Sequence, residues 1–276
     1  MIRPNYLGIG AIKAGTTWAA ENLAAHPSIF MAHGKELHYF SQNYTRGNDW
    51  YLKNFPTTSI HQAVGEFSVT YMDRSEETAK RIYEFNADFR LIVSIRDPVE
   101  RAFSQYRWEK QMGTELPSFI KSLELRPDLI TNSCYAANLA PYWNQFPDDQ
   151  FFYIRQADIR ECPSEIRSDL YRFLDVDPTY DPNPKEHIIG DTIQPRSRLL
   201  ENMRIQMHSA AMRYQAGILI TIYKRLGLSQ IYRRLNNDHN KAEVLSDTDR
   251  KLLAPLFAED LEIFRKRTGI SVTDIK

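Results

Sequence analysis

Hydrophobic and polar positions along this chain follow two rhythms. Short apolar runs alternate with longer stretches in which apolar residues recur at helical spacing. The run Tyr6-Leu7-Gly8-Ile9-Gly10 reads as a strand that turns through glycines into a helix beginning near Gly15. Runs near Ala63 to Phe67 and from Phe89 to Ile95 have the length and composition of strands covered on both faces, and another strand is expected near Gln150 to Arg155. Helical patterns lie between them, near Ser75 to Asn86 and after Pro98, while the stretch between the first helix and Ala63 reads as an extended loop. Leu252, Leu256, Leu261 and Phe264 mark a final amphipathic helix. Strands alternating with helices predict an α/β fold, a three-layer sandwich with a central parallel sheet and ligands at the carboxyl ends of the strands. No repeat, low-complexity tract or linker breaks the pattern, so a single domain over 1–276 is expected.

The first strand-to-helix turn carries chemistry. Backbone N–H groups at a helix N-terminus are unpaired within the helix, the aligned peptide dipoles favour an anion there, and glycine lets the anion come close. Gly10 and Gly15 have the glycine spacing of a nucleotide-hydrolysing P-loop, but Thr16 stands where that motif has its lysine. Lys13 sits inside the loop instead, where its ammonium can lie over the terminal group of a nucleotide. A second anion anchor is read at Arg96-Asp97-Pro98, where Arg96 emerges from a strand end, Pro98 suits a first helical turn and Ser104 follows two turns later. Taken alone, Arg96 could equally be an ion-paired cap.

Together these segments resemble the two cofactor motifs of sulfotransferases that use 3′-phosphoadenosine 5′-phosphosulfate. The resemblance implies a P-loop-like strand-loop-helix site in which Lys13, Gly15, Thr16 and Thr17 hold the 5′-phosphosulfate, with Ala14 and Trp18 also cofactor-binding, while Arg96 and Ser104 hold the 3′-phosphate. It extends through His26-Pro27, Lys35-Glu36-Leu37-His38-Tyr39-Phe40, Trp50-Tyr51-Leu52 and Gly65-Glu66, which look like the Golgi-type branch acting on polysaccharides and like similar bacterial enzymes. Ser133 to Tyr135, Phe146 to Gln150, Asp158-Ile159 and Phe173-Leu174 fall where that family has its adenine-side helix, last strand and following helix. A basic loop closes the nucleotide in relatives, and Arg196 and Arg198 match it in position.

What the resemblance implies for the reaction is transfer of a sulfuryl group to an acceptor hydroxyl, or less readily an amine, on a small molecule, glycan or lipid. Glu36 is then the general base and Lys13 the cation that stabilises charge growing on the leaving phosphate. His38, two residues after Glu36, orients Glu36 or the acceptor, and Glu66 is a second carboxylate with an alternative structural role. The nucleotide is a co-substrate leaving as 3′-phosphoadenosine 5′-phosphate, and no metal is required. One departure is visible: Phe67 and Val69 stand where polysaccharide-acting relatives have a lysine and a proline. The helical pattern from Arg198 to Leu235, within 198–240, reads either as a lid over the acceptor or as a packed helix pair.

Bulk properties narrow the remaining classes. With 42% hydrophobic and 25% charged residues and zero net charge, the chain is an ordinary globular sequence without general affinity for nucleic acid or anionic membranes, so its anion affinity is local. Cys134 and Cys162 match no metal spacing and no disulfide framework. Met1 to Asn5 runs into the first strand without an apolar leader, and the longest apolar patch, Ala216 to Tyr223, is short for a membrane span. A cytoplasmic location without an integral membrane segment is the expectation. Two competing readings are a P-loop kinase, opposed by the displaced lysine, and an inactive nucleotide-binding protein.

Overall fold

The computed structural model describes residues 2–32, 36–58, 60–73, 75–182 and 243–273. The chain divides into two compact units, one of residues 1–106, 116–190 and 246–276, the other of 107–115 and 191–245. In the second unit the described residues include an ion pair between Lys110 and Glu243.

The first unit is built on a sheet of five parallel strands: β1 (Tyr6–Gly10), β2 (Ile29–Met31), β3 (Ala63–Phe67), β4 (Arg90–Ile95) and β5 (Phe151–Arg155), in the order β2-β3-β1-β4-β5. Between and after them run α1 (Thr16–Ala25), α2 (Gly47–Leu52), α3 (Thr70–Asp73), α4 (Ser75–Phe85), α5 (Pro98–Gln111), α6 (Phe119–Leu125), α7 (Asp128–Thr131), α8 (Tyr135–Trp143), α9 (Gln156–Glu161) and α10 (Pro163–Phe173). The anticipated final amphipathic helix is two helices, Asp247–Leu253 and Ala258–Thr268, joined by a 3₁₀ turn at Ala254–Phe257 that contains Pro255. The stretch expected to be only extended loop contains the edge strand β2, too short at three residues to show a period.

Successive strand residues point to opposite faces, and the two apolar clusters of the unit separate on that rule. Leu7, Ile9, Leu91, Val93 and Ile95 join Ile82 of α4 and Leu139 and Tyr142 of α8 on one face. Tyr6, Ile92 and Ile154 join Trp18 and Leu23 of α1 and Leu170 of α10 on the other. Both faces being covered, the strands are continuous apolar runs, and the predicted three layers are present. Alternation also decides β3. Phe67 packs on the α1 face, where a Cβ on Gly8 would lie 2.1 Å from its ring, so Phe67 fills the space that the glycine leaves. Glu66 therefore faces the other way.

Candidate functional site

The first loop leaves β1 at Gly10 and enters α1 at Thr16. Ala11 donates its N–H to the Ser94 carbonyl of β4 at 2.8 Å, and Ala14 donates back to the Ala11 carbonyl at 3.3 Å, which ties the turn to itself and to the neighbouring strand. Gly15 is the N-cap, at φ 96° and ψ 11°, and no side chain caps the helix. A Cβ there would stand 2.7 Å from Ile159 Cδ1, so both the left-handed backbone and the space demand glycine. Lys13 itself has φ 64°. Ala14, Thr16 and Trp18 are buried and Thr17 is exposed. The Trp18 indole N–H is buried without a hydrogen-bond partner among the described residues. A helix start without a side-chain cap, reached through glycines, fits an anionic ligand with acceptor oxygens.

Arg96 reaches this loop from β4. Its Nη1 donates to the Lys13 carbonyl at 3.5 Å, while Nε and Nη2 donate to Glu100 Oε2 at 3.3 and 3.1 Å. Ser104, buried, lies one turn beyond Glu100 on the same face of α5. The backbone of Arg96 is clamped by the Tyr135 hydroxyl, which donates to the Arg96 carbonyl at 2.6 Å and accepts from its N–H at 3.1 Å. Burial pushes that hydroxyl up to about 12. Ser133 is equally committed, donating to the Pro98 carbonyl at 3.0 Å and accepting from Arg101. Ser133 and Tyr135 thus both hold protein groups and are fully buried.

Arg250 was invisible to sequence reasoning, since nothing in its surroundings marks it. Its Nη2 donates to Glu100 Oε1 at 2.9 Å and its Nη1 lies 3.6 Å from Asp97 Oδ1. Burial pushes the Glu100 carboxyl up, but hydrogen bonds and charge from Arg250 and Arg96 outweigh it and hold the group below its ordinary range. Two guanidiniums therefore flank one carboxylate at the start of α5.

The second loop carries Glu36 and His38. His38 Nε2 lies 3.4 Å from Glu36 Oε2, and its Nδ1 is 2.8 Å from Thr70 Oγ1, which in turn contacts Ser41 Oγ at 2.7 Å. The expected pairing of the two side chains is present, but on a backbone with φ 82° at Glu36 and 51° at His38 rather than an extended one. Leu37, Tyr39 and Phe40 turn inward, and Tyr39 stacks on Tyr51 at 4.4 Å between centroids. Among the described residues only four non-glycines have positive φ, and Lys13, Glu36 and His38 are three of them. Such conformations cost about 1–3 kcal/mol each and persist where surrounding contacts enforce them, typically at functional sites.

Glu66 sits beneath this second loop, fully buried. Its Oε2 accepts from the Leu37 N–H at 3.3 Å and from Ser68 Oγ at 2.6 Å, and its Oε1 accepts from the Tyr71 hydroxyl. Burial pushes its carboxyl above the ordinary range, opposed by the hydrogen bonds of Ser68, Tyr71 and Leu37 and by the charge of His38. With no exposed surface Glu66 is not positioned to meet an acceptor. His33, Lys35, Arg196, Arg198 and the segment 198–240 lie outside the described residues.

A family model described as a sulfotransferase domain matches residues 4–207. Among curated proteins, the mouse heparan sulfate glucosamine 3-O-sulfotransferase 3B1 is 35% identical over 175 residues, which is 59% of this chain and 44% of the relative. The membrane-associated sulfotransferase kil1 of Dictyostelium discoideum is 38% identical over 111 residues, 39% of this chain and 23% of the relative. This chain spans about half or less of the length of such relatives. Among solved structures, a sulfotransferase from Alicyclobacillus acidocaldarius has a TM-score of 0.71 at 23% identity, covering 98% of this chain and 97% of the other. That likeness is one of fold. No helix among the described residues is long and apolar enough to cross a membrane.

Proposed function

The chain belongs to the sulfotransferase domain family, and from that premise we propose that it moves a sulfuryl group from 3′-phosphoadenosine 5′-phosphosulfate to an acceptor hydroxyl. One observation supports the reading: Arg96 Nη1 reaches the Lys13 carbonyl at 3.5 Å, which brings together two segments, far apart in sequence, that are each read as an anion anchor. The bound nucleotide supplies the sulfuryl group and a leaving phosphate. Lys13 and the α1 N-terminus hold the 5′ end and neutralise charge that develops there, an interaction worth more in the transition state than in the ground state. Arg96 and Ser104 hold the 3′-phosphate.

Glu36 accepts the acceptor proton, and His38, held by Thr70, keeps the Glu36 carboxylate turned toward one side. Charge neutralisation rests on Lys13 and arginines, so the rate is expected to be indifferent to chelators. The glycan acceptors in the relatives' names favour a sugar hydroxyl, and Phe67, buried against Gly8, supplies no positive charge for a densely anionic polysaccharide.

The test supplies radiolabelled phosphosulfate nucleotide with desulfated heparan chains, simple alcohols, phenols and amines, in EDTA and in Mg²⁺. Label transferred to a hydroxyl at equal rates in both buffers supports the reading. Tight product-nucleotide binding with no sulfuryl loss to any acceptor or to water contradicts it, as does Mg²⁺-dependent turnover of ATP.

A further inference from the structure

The second loop has a support that the reaction scheme does not use. Three consecutive backbone N–H groups are each captured by a different side chain: Leu37 by Glu66 Oε2 at 3.3 Å, His38 by Ser68 Oγ at 2.9 Å, and Tyr39 by the Tyr71 hydroxyl at 3.0 Å. Ser68 and Tyr71 do not act independently, because each donates its own hydroxyl hydrogen to Glu66. A hydroxyl that donates to a carboxylate turns its lone pairs outward, and here those lone pairs meet the amides of residues 38 and 39. One buried carboxylate thus orients two relays and takes the third amide itself. The array is polarised in one direction, from amide to hydroxyl to carboxylate, which strengthens each bond.

We propose that Glu66 is a positioning residue for sulfuryl transfer, acting through the Ser68 and Tyr71 hydroxyls to hold residues 36–39 in the conformation that presents Glu36 and His38. The inference rests on Glu36 being the base. Its physical content is the backbone strain: Glu36 and His38 have φ of 82° and 51°, a region non-glycine residues avoid, and the amides that follow each of them are the ones gripped. Without the carboxylate the two hydroxyls can rotate away, three buried amides lose partners, and the loop relaxes to ordinary dihedrals. The same device connects the two loops of the site. Ser68 donates its N–H to the Gly8 carbonyl of β1 at 2.8 Å, so the residue that holds His38 is fixed to the strand that feeds the Lys13 loop.

A carboxylate that only stabilises the fold would be insensitive to whether residue 36 can accept a proton. A positioning carboxylate loses its effect on rate once that proton acceptor is gone. The experiment is therefore a double-mutant cycle of Glu66→Gln and Glu36→Gln, read as sulfuryl loss from labelled nucleotide to the acceptor panel or to water, alongside calorimetric affinity for 3′-phosphoadenosine 5′-phosphate. Glu66→Gln is expected to lower kcat on the order of tenfold to a hundredfold, the scale of a misplacement near 1 Å, with nucleotide affinity and its KM unchanged. In the Glu36→Gln background the same substitution should lower the rate no further. Tyr71→Phe and Ser68→Ala, which keep the buried carboxylate and fold if Glu66→Gln does not, should each lower kcat by a smaller factor and be equally silent in that background.

An undiminished additional loss in the Glu36→Gln background, or loss of nucleotide affinity in step with kcat across these variants, overturns the positioning role. Full activity in Glu36→Gln alone overturns the base assignment instead, so the two failures are distinguishable.

Discussion

The two loops of this site leave the carboxyl ends of strands in one sheet, yet they are held by opposite means. The Lys13 loop is held by main chain: its amides bond to carbonyls of Ala11 and Ser94, and its crucial residue, Gly15, is defined by what it lacks. The Glu36 loop is held by side chains, three hydroxyl or carboxylate groups that arrive from about thirty residues away. Main-chain support tolerates almost any neighbour but no Cβ at one point. Side-chain support tolerates shape changes but no lost hydrogen bond. The difference suits the tasks proposed for them, because a phosphate is recognised by backbone amides and a helix dipole, whereas a proton acceptor must be aimed.

That comparison ranks the substitutions. The largest effect is expected at Glu36→Gln, which keeps size but removes the proton acceptor: turnover should fall roughly 10²–10⁴-fold, with nucleotide affinity nearly unchanged in calorimetry. Loss of both would make Glu36 a loop-building residue and erase the contrast between the loops. Lys13→Ala should follow, lowering kcat about 10²–10³-fold, the scale of removing one group that stabilises developing charge, at saturating nucleotide. Normal turnover there would reduce Lys13 to a turn residue.

Gly15→Ala probes main-chain support. Strain at φ 96° and the 2.7 Å approach to Ile159 should lower stability by about 1–3 kcal/mol in denaturant titration. The paired substitution Ile159→Ala should relieve the steric part and leave the dihedral part. The smallest effect is expected at Arg250→Ala: as an ion pair open to solvent it contributes up to about 1 kcal/mol, so nucleotide affinity should change by a few-fold, more at low salt than at high.

The same contrast governs what was legible in the sequence. The parallel sheet was readable because strands covered on both faces must be apolar runs, and the turn at Lys13 because glycines at that spacing mark the passage from a strand to a helix. The positions of Arg96, at a strand end, and Ser104, in the helix that follows, were readable from the same pattern. β2 was not, at three residues. The support of Glu36 was not either: Glu66, Ser68 and Tyr71 have no common period, and what joins them is a turn after β3 that brings them under a distant loop. Phe67 is the more conspicuous residue of that segment, yet alternation places it on the opposite face against Gly8. Arg250 comes from the far end of the chain, and an arginine in a charged amphipathic helix looks like a solvated one.

Lys13 and Arg96 are proposed to belong to one nucleotide site that reads a 3′-phosphate. Calorimetry with 3′-phosphoadenosine 5′-phosphate and with AMP, on wild type and on Arg96→Ala, tests it most directly. Charge-assisted contacts to such a group contribute about 1.5–3 kcal/mol, so wild type should prefer the 3′-phosphorylated nucleotide by at least roughly tenfold, and Arg96→Ala should lose most of that preference while its affinity for AMP stays unchanged. Equal affinity of wild type for the two nucleotides would contradict the account.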